Sequence, residues 1–145
     1  MNPDTPIVPQ PTPGQTGHAG KKILLIEDEN FIGDLYDRAL RAGGYVPTVV
    51  IDGEQALKEA QTNTYDVILL DIMLPNMTGT EILDTLRNPA LTPNLKAKII
   101  ITTNLELDEE GRAAIENKAD GYIVKADITP KELVAFIDQI DLSLK

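Results

Sequence analysis

The sequence predicts an α/β fold, a parallel β-sheet covered by helices on both faces. Three observations carry that reading. Short apolar runs alternate strictly with segments of helical period, giving five β-α units. Runs such as Ile23-Leu24-Leu25-Ile26 are continuously apolar, as expected of strands buried on both faces. Turn and cap residues separate each run from the next periodic segment. Such alternation demands parallel strands joined by right-handed helical crossovers.

The elements follow in order from Lys21. Ile23-Leu24-Leu25-Ile26 is the first strand. Phe31, Leu35, Ala39 and Leu40 recur at helical spacing, and Gly43-Gly44 ends that helix. Val46 to Ile51 reads as the second strand, and Asp52 caps a helix through Ala56, Leu57 and Ala60. Tyr65 to Leu70 is the third strand. Ile82, Leu83 and Leu86 mark the next helix, which ends before Pro89. A polar loop with Pro89 and Pro93 leads to Ile99-Ile100-Ile101, the fourth strand. Asp108 to Asn117 suits a fourth helix, and Gly121 to Val124 a short fifth strand. Thr129-Pro130 opens the last helix, with Thr at the cap and Pro in the first turn. Leu133, Val134, Phe136, Ile137 and Ile140 form its buried stripe.

Composition bounds the function. The chain has 145 residues and no Cys, which excludes a disulfide framework, thiolate metal sites and thiol nucleophiles. A single His, His18, excludes a multi-histidine metal site. The net charge of −10 argues against a duplex-binding surface, which needs clustered Lys and Arg. No apolar run approaches the roughly 18 residues of a membrane span, and no secretory signal is visible. The expectation is a soluble, acidic, cytoplasmic domain with neither nucleic acid nor membrane as partner.

Residues 1–20 differ from the remainder. They hold Pro3, Pro6, Pro9, Pro11 and Pro13, half of the 10 prolines, and one charged residue, Asp4. Such a segment buries too little apolar surface to offset its ordering entropy, so it reads as a flexible, partly polyproline-II tail before a domain at 21–145. A proline-rich docking peptide is the alternative, but no Pro-x-x-Pro flanked by a basic residue stands out.

In sheets of this kind ligands sit outside the carboxyl ends of the strands, where strand order reverses. Those ends carry chemistry here. The first strand ends in Glu27-Asp28-Glu29, the third in Asp71, the fourth in Thr102-Thr103 and the fifth in Lys125. A single acidic residue after a strand is usually a helix cap, and a single Lys is usually solvated. Four such ends on one sheet edge form a constellation. With strands one and three adjacent, Glu27, Asp28 and Asp71 converge, and their repulsion calls for a cation. Mg²⁺ suits them best, because it accepts one or two carboxylates, keeps waters and binds phosphate oxygens.

These strand ends resemble those of response-regulator receiver domains, the phospho-acceptor modules of two-component signalling. The motifs are Ile-Leu-Leu-Ile-Glu27-Asp28-Glu29, Leu69-Leu70-Asp71-Ile72-Met73-Leu74-Pro75-Asn76-Met77-Thr78-Gly79, Ile101-Thr102-Thr103 and Gly121-Tyr122-Ile123-Val124-Lys125. The resemblance covers residues 21–145, in order. It implies a flavodoxin-like (βα)5 three-layer sandwich with strand order 2-1-3-4-5. It also implies that Asp71 takes a phosphoryl group from a histidine kinase or histidine phosphotransfer protein, forming an acyl phosphate. Glu27 and Asp28 then correspond to the acidic pair that holds Mg²⁺, with Asp28, Asp71 and the backbone carbonyl of Met73 as ligands. Thr102 corresponds to the hydroxyl that binds a phosphoryl oxygen, and Lys125 to the cation that neutralises phosphoryl charge. Tyr122 takes the position of the aromatic that rotates inward as that hydroxyl moves. Met73 and Asn104 occupy the two positions that tune phosphate lifetime.

Two departures stand out. Glu27 replaces the commoner Asp, which lengthens that side chain by one methylene. Ala126 follows Lys125 where proline is common; a cis bond before a non-proline residue costs about 2.5–4 kcal/mol, so a trans bond and a shifted loop are expected.

The resemblance implies a signalling module rather than an enzyme, assisting only its own phosphorylation and dephosphorylation. The alternative is a pseudo-receiver, a scaffold that no longer uses phosphorylation; the complete set Asp28, Asp71, Thr102 and Lys125 favours the switch. A dehalogenase-type phosphatase wants a second aspartate where Met73 stands. A flavin-binding protein would show a Ser/Thr/Gly-rich loop where carboxylates follow the first strand. No output domain follows Lys145 in this sequence, so output is expected by protein contact, through the fourth helix, fifth strand and fifth helix that the family uses.

Overall fold

Strands and helices alternate along the chain in the computed structural model, which describes residues 20–62, 64–74, 77–92, 95–104 and 107–142, with side chains to 140. They are β1 (Lys22–Ile26), α1 (Asn30–Ala42), β2 (Val46–Val50), α2 (Gly53–Thr62), β3 (Val67–Asp71), α3 (Gly79–Leu86), β4 (Lys98–Thr103), α4 (Glu109–Glu116), β5 (Gly121–Val124) and α5 (Pro130–Leu142). A 3₁₀ turn at Lys125–Asp127 joins β5 to α5. The sheet order is β2-β1-β3-β4-β5, and every pairing is parallel. The fold class and strand order expected from the sequence are therefore the ones observed.

Successive strand residues point to opposite faces, so the continuous apolar runs feed two cores. Leu24, Ile26, Ile68, Leu70, Ile99 and Ile101 pack with Ala56, Ala60, Ile82, Leu83 and Ile115 of α2, α3 and α4. Ile23, Leu25, Val67, Leu69 and Ile100 pack with Tyr36, Leu40, Leu133 and Ile137 of α1 and α5. Helices on both faces complete three layers.

Local chemistry sets the element ends. Asp52 accepts the Gln55 N–H at 2.8 Å, as its cap role predicts. Thr129 accepts from the Glu132 N–H, and Glu132 returns a bond to the Thr129 N–H, a reciprocal capping box at the start of α5. Gly44 turns the chain after α1 with φ of 96°, a conformation open to glycine without penalty. The third strand starts at Val67, two residues later than the sequence reading, because Tyr65 is spent differently: its ring is buried and its hydroxyl donates to Glu59 at 2.6 Å. That strand also runs one residue further, so Asp71 is its last member and pairs in register with Thr102.

The backbone has no cis peptide among the described residues, so the Lys125–Ala126 bond is trans. No described helix is long and apolar enough to cross a membrane. The proline-rich segment read as a tail falls, apart from Gly20, outside the described residues, as do Pro75 and Asn76 of the β3 motif.

Candidate functional site

The sheet order puts β3 between β1 and β4, so Asp71 is flanked by the residues that end those strands. Glu27 follows β1 directly and is 1% exposed; Asp71 is 3% exposed. Asp28, next along, is open to solvent. One carboxylate oxygen from each of Glu27, Asp28 and Asp71 lies within 4.8 Å of the others. Lys125, at the end of β5, reaches back across the strand ends. Its Nζ donates to Glu27 Oε1 at 2.7 Å and to Asp71 Oδ2 at 2.9 Å. The repulsion read from the sequence is thus partly met within the chain.

The remaining acceptors are also occupied. Asp71 Oδ1 accepts the Met73 N–H at 2.9 Å, which orients the carboxylate at the strand end. Glu27 Oε2 accepts the Glu29 N–H at 3.2 Å. Burial pushes the Glu27 carboxyl above the ordinary glutamate range, against the opposing pull of the Lys125 hydrogen bond and the Glu29 N–H. Burial works against the Lys125 ammonium too, but its bonds to Glu27 and Asp71 outweigh it and hold its pKa above that of an ordinary lysine.

Thr102 is fully buried, and its Oγ1 has no hydrogen-bond partner. A buried hydroxyl without a partner costs about 1–3 kcal/mol, so this one marks a place for a missing acceptor or donor beside Asp71. Met73 is 57% exposed at the rim. Asn104 turns its Oδ1 to the Ala126 N–H at 2.8 Å, tying the β4 end to the turn after β5. Tyr122 is half-buried on β5, with the Arg112 guanidinium of α4 4.6 Å from its ring centroid.

An open cleft of about 680 Å³ lies over these groups, lined by Asp28, Asp71, Met73, Asn104, Lys125 and Thr78 among others. The predicted residues Glu27, Asp28, Asp71 and Lys125 come together at one place. Thr102 is beside Asp71 in register, Met73 and Asn104 form the rim, and Tyr122 stands apart on the α4 side. Glu29 and Thr78 also reach the cleft and were not singled out from the sequence. Thr78 caps α3, accepting the Glu81 N–H at 3.1 Å, and a Thr three residues before a Glu is the sequence signal that could have found it. The donor set suits a hard divalent cation: three carboxylates, with phosphate-sized room in front of them.

The match to known proteins is extensive. Residues 23–138 fit the family model of the response regulator receiver domain. The chain is 39% identical over 104 residues to the response regulator ArlR of Staphylococcus saprophyticus, covering 72% of this chain and 45% of that protein. The chain thus spans about half the length of the curated relatives it matches. Among solved structures, the receiver domain of Francisella response regulator 1452 superposes with a TM-score of 0.75 at 27% identity, covering 87% of this chain and all of that one (100%). The Thermotoga maritima response regulator TrrA, solved in complex with Mg(2+)-BeF, gives a TM-score of 0.62 at 32% identity over 72% of this chain and 85% of that one.

Proposed function

This chain belongs to the response regulator receiver domain family, and from that premise we propose that it is a phospho-acceptor switch whose acceptor is Asp71. One observation carries the reading. Asp71 ends β3 with the Lys125 ammonium 2.9 Å from one oxygen and the unpartnered, buried Thr102 hydroxyl beside it in register. A phosphoryl group on Asp71 answers both features, because its oxygens accept from an ammonium and from a hydroxyl.

One carboxylate oxygen of Asp71 forms the new O–P bond as the P–N bond of a phosphohistidine breaks. The departing imidazole keeps the bonding pair and takes up a proton. Transfer of this kind needs positioning and charge neutralisation more than covalent help. The Met73 N–H orients Asp71 for it. Lys125 passes from the carboxylate to a phosphoryl oxygen, and Thr102 donates to another. Mg²⁺ would be held by Asp28, Asp71 and the backbone carbonyl of Met73, with Glu27 completing the acidic set. When bound, it supplies further neutralisation of the phosphoryl oxygens.

The donor on this reading is a histidine kinase or histidine phosphotransfer protein, and the signal leaves by protein contact through α4, β5 and α5. Tyr122 lies on that surface and couples it to Thr102. The scaffold alternative finds no support in a cleft that retains Asp28, Asp71 and Lys125, with Thr102 buried beside Asp71 in register. Incubation with a small acyl or amidophosphate donor and Mg²⁺, followed by intact-mass measurement, tests the assignment. One phosphoryl mass is expected on the wild type and none on Asp71→Asn. A stable phosphoryl group on that variant would overturn it.

A further inference from the structure

We propose that the proline-rich segment at residues 6–11 folds back onto its own domain and occupies an apolar groove between α1 and α5. The groove has a volume of about 630 Å³ and is lined by Ala39, Ala42, Gly43, Pro130, Val134 and Ala135 among others. Ala42 and Ala135 are exposed within it, while the charged side chains of Asp34, Arg38 and Glu132 face solvent elsewhere on the two helices. It shares no lining residue with the cleft over Asp71, so this contact does not depend on the phospho-acceptor reading.

The place where the described chain begins names the occupant. The Gly20 N–H donates to the Gly44 carbonyl at 2.8 Å. Gly44 lies between Gly43, which lines the groove, and Tyr45, whose hydroxyl donates at 2.6 Å to Asp138, another lining residue. Residues 1–19 therefore leave the domain beside the groove. Pro11 can stand up to about 30 Å from Gly20, so reach is not limiting. The lengths also agree. From Thr129 to Asp138, α5 rises about 14 Å. Six residues in polyproline II span about 16 Å. Pro3, Pro6 and Pro9 recur every three residues, the polyproline II period, and so share one apolar ridge in that conformation; Val8 and Pro11 share the next. Asp4 is the one charged residue of the segment, and Lys131 lines the groove two helical turns before Asp138. A segment entering at the Asp138 end carries Asp4 toward Lys131. Attachment within one chain supplies an effective concentration of about 1 mM, which favours this occupant over a second copy in dilute solution.

Paramagnetic broadening of amide signals in the full chain tests this. The sequence has no Cys, so a Thr5→Cys variant carries a nitroxide at one place, just beyond the docked residues. The tether alone also broadens nearby signals. Thr5→Cys/Val8→Ser/Pro9→Ser keeps the tether, removes a residue from each ridge and measures that background. At an effective concentration of about 1 mM, a contact with a Kd of about 1 mM between separate molecules is half populated. The Ala42, Lys131 and Val134 amide signals should therefore lose about twice as much intensity, or more, in the first protein as in the second. Adding Ala135→Glu to the first protein puts a charge at an exposed groove position with little change in helix propensity, and should bring the loss down to background. Equal broadening with and without the ridges would overturn the proposal. So would an undiminished loss when the spin-labelled chain is unlabelled in ¹⁵N and mixed with ¹⁵N chain free of nitroxide, because the groove would then be filled by a second copy.

Discussion

Thr102 stands directly opposite Asp71 in the β3–β4 register, and its fully buried hydroxyl has no hydrogen-bond partner. The neighbouring Asp71 oxygens are taken by the Met73 N–H and by Lys125. The unphosphorylated protein therefore carries a polar group whose desolvation is uncompensated, and a phosphoryl oxygen at Asp71 would relieve it.

Thr102→Val should accordingly stabilise the unphosphorylated protein. The shape is retained and an unsatisfied hydroxyl is lost, so the gain should be about 1 kcal/mol, at the low end of that penalty. The same variant should lose the phosphorylation-dependent change at Tyr122, since no hydroxyl is left to move. Urea unfolding checks the first expectation, and the Tyr122 ring resonances with and without an acyl phosphate donor check the second. A variant less stable than wild type by more than 0.5 kcal/mol, the usual scale of a neutral substitution, would show that the hydroxyl has a partner.

Lys125→Met should be destabilising at neutral pH, by about 3–5 kcal/mol, because it strands Glu27 and Asp71 without their shared cation. The deficit should depend on pH in a definite direction. Burial already raises the Glu27 carboxyl above its ordinary value, and Lys125 opposes that rise. Without Lys125 the folded-state value climbs further above the unfolded one. Between the two values the folded state binds more protons, so stability increases as pH falls. The gap between variant and wild type should narrow from pH 7.5 to pH 5, measured by thermal or urea unfolding. In the wild type, Lys125 has a raised pKa, so its contribution is complete below the unfolded lysine value and fades as pH climbs through the folded one, in the alkaline range. A gap that widens on acidification would refute this account of the pair.

How much of this was legible beforehand depends on the range of the interaction. The strands were readable because runs such as Ile23–Ile26 and Ile99–Ile101 are buried on both faces and so lack alternation. The site residues were readable because strand ends on one sheet edge must converge whatever the loops do. The contact by which Lys125 answers Glu27 within the chain was not legible from sequence alone. Lys125 and Glu27 are 98 residues apart, and no local pattern says that a lysine on an edge strand reaches past two strands to its acceptor. Asp120 makes the same point at the opposite edge of the sheet. It accepts the Ile99 N–H at 2.8 Å and pairs with Arg87 at 2.8 Å, a clamp between β4, α3 and the turn before β5 that looks in sequence like an ordinary solvated loop acid.

Gly79→Ala should disturb the acceptor without touching any charged group. A Cβ at Gly79 would meet the Ile72 Cα and would lie 2.6 Å from the Asp71 carbonyl oxygen, both backbone atoms. The Gly79 N–H also donates to the Ile72 carbonyl at 2.9 Å, so the start of α3 is pinned against the residue after the acceptor. Backbone cannot yield as a side-chain tip does, so the cost should reach the upper part of the roughly 1–3 kcal/mol of overpacking. Phosphorylation by a small donor should slow as well, because the strand end that orients Asp71 must shift. Wild-type stability together with a wild-type rate would show that the close approach is absent in solution.

The last expectation concerns the lifetime of the phosphorylated state. Hydrolysis needs a water in line with the phosphorus, opposite the Asp71 oxygen, and the two rim residues able to govern that water are Met73 and Asn104. From sequence they pull in opposite directions, since an amide can hold a water and a thioether is a poor partner. The structure weakens the claim of Asn104. Its Oδ1 already accepts the Ala126 N–H at 2.8 Å, so the oxygen that would take a proton from the water is engaged. Met73 is solvent-facing, and its long, adaptable side chain can lie over a phosphoryl group. Replacing it by asparagine uncovers the group and supplies a free amide oxygen at the same place. Met73→Asn should therefore lose its phosphoryl group several-fold faster than wild type, followed by intact mass over time in Mg²⁺ without any phosphatase. Releasing the Asn104 oxygen by weakening the turn after Lys125, for example with Ala126→Gly, should also speed the loss, but less. Equal or slower decay in Met73→Asn would mean that neither rim side chain limits the water.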